Sequence, residues 1–274
     1  MKEYDKVKPF VKWVGGKRGV IKDLLCKLPG NINNYYEPFV GGGALFFEIF
    51  DRVKFSYLSD LNLDLVIAYN VIKKEPQKVI NLLRKYKNNH SIDYYYKLRR
   101  KQEIGCPIAN TARLIYLLKT CYNGLYRTNS SGEFNTPAGS YDNPNIVDKS
   151  NLLLVKGALQ NAEIKYQDFS KIEPQKGDLV YFDPPYHPIN GGSFTQYISN
   201  GFSEKDQKRL RNFALELTKK KVNIMLSNSD TAFINEIYRK DFIISKIQAP
   251  RTVNCKATKR KPVFELLITN YEYA

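Results

Sequence analysis

Residues 179–186 read Leu-Val-Tyr-Phe-Asp-Pro-Pro-Tyr, an apolar run that ends in Asp183, Pro184, Pro185 and Tyr186. The run reads as a buried strand of an α/β sheet. A carboxylate, a kinked backbone and an aromatic ring just past such a strand line the crevice where these sheets bind ligands. The set suits a planar aromatic amine. A carboxylate and a backbone carbonyl accept both protons of an exocyclic NH2, while the tyrosine face supports the attached ring. Two prolines fix φ twice and remove two N–H donors, so the loop presents acceptors. An ordinary strand ending in a Pro-rich turn satisfies the same eight residues, because turn preference alone produces Asp-Pro strand ends.

Outward from this stretch, strand-like runs alternate with helical patterns at both ends of the chain, the mark of an α/β fold. Tyr35 to Phe39 leads through glycines into a helical Ala44 to Phe50, and Phe55 to Ser59 leads into Leu63 to Ile72. Asp178 to Phe182, Val222 to Leu226, Phe242 to Ile247 and Phe264 to Thr269 read as buried strands. A helix over Ser203 to Lys220 starts with a serine cap and Asp206, and its Leu210, Phe213, Ala214 and Leu217 share one face. The middle, residues 61–160, breaks the alternation and is predicted to be a mainly helical insertion. It ends in a β-hairpin that turns at Asn129, Ser130, Ser131 and Gly132.

The chain has 274 residues, 43% of them hydrophobic and 26% charged, which is long enough for a sizeable core. Its 43 Lys+Arg against 27 Asp+Glu give a net charge of +16, which favours a polyanionic partner. Twenty Tyr and fifteen Phe suit base stacking and core filling alike. Cys26, Cys106, Cys121 and Cys255 form no CxxC and no disulfide framework, so a reducing cytoplasm is expected. His90 and His187 are too few and too distant for a metal site. No apolar run has the length of a membrane span, and the charged start lacks a signal-peptide core.

Residues 36–47 place Gly41, Gly42 and Gly43 between a strand and a helix, where the backbone can turn tightly and approach a ligand. The pattern is neither GxGxxG nor a Walker loop. Asp60, about twenty residues on, ends the next strand, where a carboxylate can bind the ribose hydroxyls of an adenosine cofactor or complement a helix dipole. Trp13 with Gly15, Gly16 and Lys17 suits a planar group carrying a carboxylate better than it suits a core tryptophan.

Taken in order, KWVGGK (12–17), EPFVGGGALFF (37–47), SDLN (59–62), YNGLYR (122–127), GEFNTPAGSY (132–141), DPPY (183–186) and LSNSD (226–230) resemble the Dam-type adenine-N6 DNA methyltransferases. These are the D12 class, alpha group, whose target recognition domain lies between the cofactor loop and the DPPY motif. The resemblance runs from Lys12 to about Asn270. It implies S-adenosyl-L-methionine as cofactor and a flipped-out adenine in double-stranded DNA, within GATC, as substrate. It also implies a Rossmann-like catalytic domain of residues 1–60 and 161–274, with 61–160 as the recognition domain.

Carried over by position, Trp13, Lys17, Phe39, Gly41, Gly43, Asp60, Asp168, Phe169 and Asp183 would hold the cofactor. Asp183 and the Pro184 carbonyl would bind the target amino group, followed by Pro185 and by Tyr186 stacking on the base. Lys12, Tyr122, Asn123, Leu125, Arg127, Pro137 and Tyr141 would contact DNA, with Arg127 suited to guanine O6 and N7. Ala138 and Ser140 depart from the bulkier and basic residues of many members. The lysine-rich stretches at 84–101 and 256–261 would track phosphates or be merely solvated, and Arg251 and Thr252 receive no role. No metal and no membrane are expected, and a monomer can meet a palindromic site one strand at a time. A non-catalytic DNA-binding protein of the same fold, or a methyltransferase acting on RNA or protein glutamine, would share several of these features.

Overall fold

Leu179–Phe182 is buried along its whole length and is the middle strand of a mainly parallel sheet. The computed structural model describes residues 6–101, 105–189, 202–249 and 263–273; Arg251, Thr252, Cys255 and the basic run 256–261 lie outside them. The strands are β1 (Tyr35–Glu37), β2 (Ser56–Asp60), β3 (Ala162–Tyr166), β4 (Leu179–Phe182), β5 (Asn223–Ser229), β6 (Ile243–Ala249) and β7 (Val263–Thr269). Among the described residues they form a seven-stranded sheet of order β3-β2-β1-β4-β5-β7-β6. β1 pairs in parallel with β2 and β4, and β4 with β5, whereas β7 runs antiparallel to both β5 and β6.

The strand order reverses at β1. From there the chain passes outward to β2 and β3, then returns to place β4 on the other side, with Tyr35 opposite Leu179 and Tyr36 opposite Val180. The carboxyl ends of β1 and β4 therefore flank a topological switch point, where open α/β sheets bind ligands. Phe39 follows the first of these strands and Asp183 the second.

The helices are α1 (Ile21–Cys26), α2 (Phe46–Ile49), α3 (Leu63–Lys74), α4 (Pro76–Asn88), α5 (Ile92–Arg100), α6 (Pro107–Thr120), α7 (Lys149–Ala158), α8 (Glu204–Lys219) and α9 (Ala232–Tyr238). No described helix is long and apolar enough to cross a membrane. The expected strands and long helices appear with shifts at their ends, and the α/β assignment holds. The sequence reading missed β3. Its Ala-Glu-Ile-Lys-Tyr buries Ala162 and Ile164 while Glu163 and Lys165 pair with each other at 2.9 Å. That alternation, short and charged, suits an edge strand.

By its contacts the chain divides into two compact units. One comprises Met1–Gly16, Gly41–Asp51 and Asp60–Tyr166; the other comprises Lys17–Val40, Arg52–Ser59 and Gln167–Ala274. The core of the first is helical, built on Leu65, Ala68, Tyr69 and Ile72 of α3 with Ile115, Leu117 and Leu118 of α6. In the second, Leu210, Ala214 and Leu217 of α8 pack on Val180, Phe182, Ile224, Leu226, Leu266 and Ile268 of the sheet. Ser203 caps α8 in a reciprocal box with Asp206, as its sequence spacing predicts.

Candidate active site

Asp183 follows the last residue of β4 and receives the ammonium of Lys17, whose Nζ lies 2.8 Å from Asp183 Oδ1. Lys17 is only 6% exposed, so its charge is held almost out of water. The same ammonium lies 4.8 Å from the centre of the Tyr186 ring. Tyr186 in turn donates its hydroxyl to Glu265 of β7 at 2.9 Å. Burial pushes the Asp183 carboxyl above its ordinary pKa, and the Lys17 ammonium opposes that shift. A carboxylate paired with one cation is a strong hydrogen-bond acceptor.

In the same unit, Phe39 stacks on Phe169 at 5.5 Å, and Phe169 is almost fully buried. Asp168 holds Ser170 through its backbone N–H at 3.0 Å and its hydroxyl at 2.6 Å. Its two oxygens also receive the Arg209 guanidinium at 2.7 and 3.0 Å, and this fork holds its pKa down to about 2. Arg209 lies 4.2 Å from the Phe169 ring centre.

The glycine loop belongs to the first unit. Gly41 has φ +46 and Gly43 φ +67, the left-handed region that glycine enters without strain. A Cβ on Gly41 would stand 2.8 Å from Trp13, and one on Gly43 2.7 Å from the Tyr69 hydroxyl. The Gly41 peptide is pinned from both sides: Asp60 Oδ2 accepts its N–H at 3.0 Å, and Tyr69 donates its hydroxyl to its carbonyl at 3.1 Å. Asp60 Oδ1 accepts the Asn62 N–H at 2.9 Å, and Asn62 caps α3 by accepting from Leu65 N–H at 3.0 Å. Burial raises the Asp60 pKa, and these backbone donors pull against it. Backbone groups of Gly41, Asn62 and Leu61 all act on this carboxyl. The Trp13 ring packs 5.0 Å from Tyr126.

Residues 13–253 match the family described as D12 class N6 adenine-specific DNA methyltransferase. The chain is 42% identical to the type II methyltransferase M1.LlaDCHI of Lactococcus lactis subsp. cremoris, over 97% of this chain and 96% of that protein. It is also 42% identical to the type II methyltransferase M.MjaIII of Methanocaldococcus jannaschii, over 97% of this chain and all of the relative (100%). The DNA adenine methylase of Vibrio cholerae is 31% identical, over 96% of this chain and 95% of that protein. The chain belongs to the D12 class of adenine-specific DNA methyltransferases.

The D12-class segment that was expected to meet DNA lies within one unit and is closed at its base. Gly139 N–H donates to the Thr120 carbonyl at 2.8 Å, Cys121 bridges Ala138, and Tyr122 N–H donates to the Pro137 carbonyl at 2.9 Å. Asn123 has φ +53 and Gly124 φ +66, so the backbone turns sharply and leaves Tyr122 and Asn123 exposed. The aliphatic part of Lys12 fills the space beside Gly124, where a Cβ would be 2.5 Å from Lys12 Cδ. Its ammonium reaches Tyr141, 4.9 Å from the ring centre and 3.5 Å from the hydroxyl. The hairpin closes through Thr128 opposite Phe134, and Asn129 Oδ1 accepts the Ser131 and Glu133 N–H groups at 3.1 and 2.9 Å. Arg127 is exposed, its guanidinium held by Asn135 through Oδ1 at 2.7 Å and the carbonyl at 3.2 Å. Leu125 is half-buried, and its carbonyl accepts from Thr136 Oγ1 at 2.6 Å.

Lys17, expected at the cofactor, pairs its ammonium with Asp183. Two further partners in the methyltransferase, Glu265 and Tyr69, escaped the sequence reading. Glu265 had a visible signal, a lone carboxylate inside the apolar strand Phe264 to Thr269. Tyr69 had none, since a tyrosine on the buried stripe of α3 reads as core.

Proposed function

We propose that this chain moves a methyl group from S-adenosylmethionine to N6 of an adenine turned out of duplex DNA, within GATC, acting as a cytoplasmic monomer. In this reading residues 61–160 form the recognition domain and the rest of the chain carries the chemistry. The observation that carries it is the arrangement of Lys17, Asp183, Tyr186 and Glu265 just past β4, on a strand end beside the switch point.

The N6 lone pair of adenine is delocalised into the ring, so the nitrogen is a weak nucleophile. Hydrogen bonds from its two protons to Asp183 and to the Pro184 carbonyl favour a pyramidal nitrogen with the lone pair localised. Lys17 pairs with Asp183 at 2.8 Å and opposes the effect of burial on it, so the carboxyl would face the nitrogen as a hydrogen-bond acceptor while positive charge develops there. Lys17 lies over one face of Tyr186, and in this reading the base would stack on the opposite face. Such stacking contributes roughly 1–3 kcal/mol, against a few kcal/mol for extruding the base.

S-adenosylmethionine supplies the electrophilic methyl group when bound. The residues fit it. The backbone of Gly41 and Gly43 stays bare because side chains there would collide with Trp13 and Tyr69, which suits close approach of the amino-acid portion. The Asp60 carboxyl at the end of β2 suits the ribose hydroxyls, and Phe39, Phe169 and Asp168 suit an adenine ring. Lys12, Tyr122, Asn123, Leu125, Pro137 and Tyr141 would meet the recognition sequence, with Arg127 reading a guanine.

The test is methyl incorporation from labelled cofactor into duplex DNA by wild type and Asp183→Asn. The variant is expected to lose about 100-fold or more in rate while binding DNA normally. A wild-type rate would overturn the assignment. Sequencing of methylated adenines then decides for or against GATC.

A further inference from the structure

The backbone that follows Pro184 is tied down by two buried amides that belong to neither substrate nor cofactor in the reading above. Gln207 of α8 and Asn228 of β5 are both fully buried. Gln207 donates Nε2 to the Pro185 carbonyl at 3.0 Å. Asn228 donates Nδ2 to Gln207 Oε1 at 3.1 Å and accepts the His187 N–H on Oδ1 at 3.0 Å. Its Oδ1 also accepts the Ser229 N–H at 2.9 Å, and the Ser229 hydroxyl donates to the His187 carbonyl.

The chemistry of the two ends fixes the direction of this chain. A backbone N–H can only donate, so Asn228 must turn Oδ1 toward His187 and its NH2 toward Gln207. Gln207 must then present Oε1 to Asn228 and Nε2 to the other end, where the Pro185 carbonyl can only accept. Neither amide can flip without setting two donors or two acceptors face to face. Pro184 and Pro185 have no N–H to offer a rival bond. Among the described residues, no donor reaches the Pro184 carbonyl.

We propose that Gln207 and Asn228 are positioning residues for methyl transfer: their oriented pair fixes the Pro185 peptide and the start of His187. The Pro184 carbonyl and the Tyr186 ring thereby keep one direction, with that carbonyl left open for the target amino group. The inference rests on the reading of Asp183 to Tyr186 as the adenine site. Misplacing reacting groups by about 1 Å costs on the order of 100-fold in rate, so the pair acts on the chemical step rather than on affinity.

The test uses the full chain with saturating S-adenosylmethionine and a GATC duplex, in single turnover. Gln207→Met keeps length and removes both bonds. Asn228→Asp keeps the acceptor for His187 but faces Gln207 Oε1 with a carboxylate, so the Gln207 amide must flip against Pro185. Each variant is expected to lower the rate constant about 100-fold with near-full amplitude and with KM for cofactor and for DNA little changed. A merely structural role would reduce the amplitude through loss of folded enzyme and leave the rate constant of the remainder unchanged. That result in the variants that fold, or a wild-type rate in either one, overturns the proposal. Asp183→Asn in the same assay separates the two readings. Loss there with wild-type rates in the amide variants removes the positioning role alone, and wild-type rates in all three remove the adenine site itself.

Discussion

Asp168 has partners in the structure that its sequence neighbourhood does not announce. It was named for the cofactor by resemblance, yet in the structure its oxygens serve Ser170 and the Arg209 fork. The fork holds its pKa down to about 2, so the pairing contributes stability above the ordinary aspartate range and loses it as pH falls through about 2. Thermal melts across acid pH should show Arg209→Ala less stable than wild type near pH 5, with the gap closing toward pH 2. A constant gap would mean that Arg209 acts through its packing on Phe169. Arg209 was illegible in the sequence because nothing in a solvent-facing helical arginine announces a partner 41 residues away. Asp183 was legible because the prolines beside it are rare inside an α/β core and call for a reason. Its pairing with Lys17 spans most of the chain and left no local trace.

At the scale of elements, the strand, glycine loop and helix over residues 35–50 were read correctly in kind, though α2 covers only Phe46–Ile49 of the expected Ala44 to Phe50. The glycines explain the loss, since Gly41 and Gly43 take left-handed φ and delay the helix. Gly43→Ala should cost about 1–2 kcal/mol from backbone strain alone, and more from the clash of its methyl with the Tyr69 hydroxyl. Gly132→Ala is the control, because it has φ +78 but meets nothing within 4 Å. Urea titration should find Gly43→Ala the less stable of the two, and calorimetry should find its S-adenosylmethionine affinity lowered. Equal losses would show that Tyr69 gives way without cost. β3 escaped because its alternation is short, with only Ala162 and Ile164 buried, too few apolar positions to stand out beside α7. The capping box of α8 was plain in the sequence because Ser203 and Asp206 act within one turn.

For the whole molecule, the +16 charge was readable from composition, but its distribution was not. Arg99 donates to the carbonyls of Asn135 and Thr136 at 3.2 and 3.3 Å, so it braces the hairpin and is unavailable to phosphate without breaking that support. Lys87 and Arg100 on α4 and α5 are exposed. Replacing both by alanine should reduce the slope of log K against log salt by roughly 0.9 for each phosphate that is no longer neutralised, without changing which adenines are methylated. An unchanged slope would mark them as solvated charges. Another consequence lies in the closed base of the 121–138 segment. Because its two ends are clasped to each other, it behaves as a cassette. A graft spliced at Cys121 and Ala138 leaves the clasp intact, and doubling its length adds only about 0.6 kcal/mol of loop closure. A segment from a relative spliced at these two points is expected to keep the fold where it also keeps the packing of Gly124 on Lys12 and of Tyr126 on Trp13.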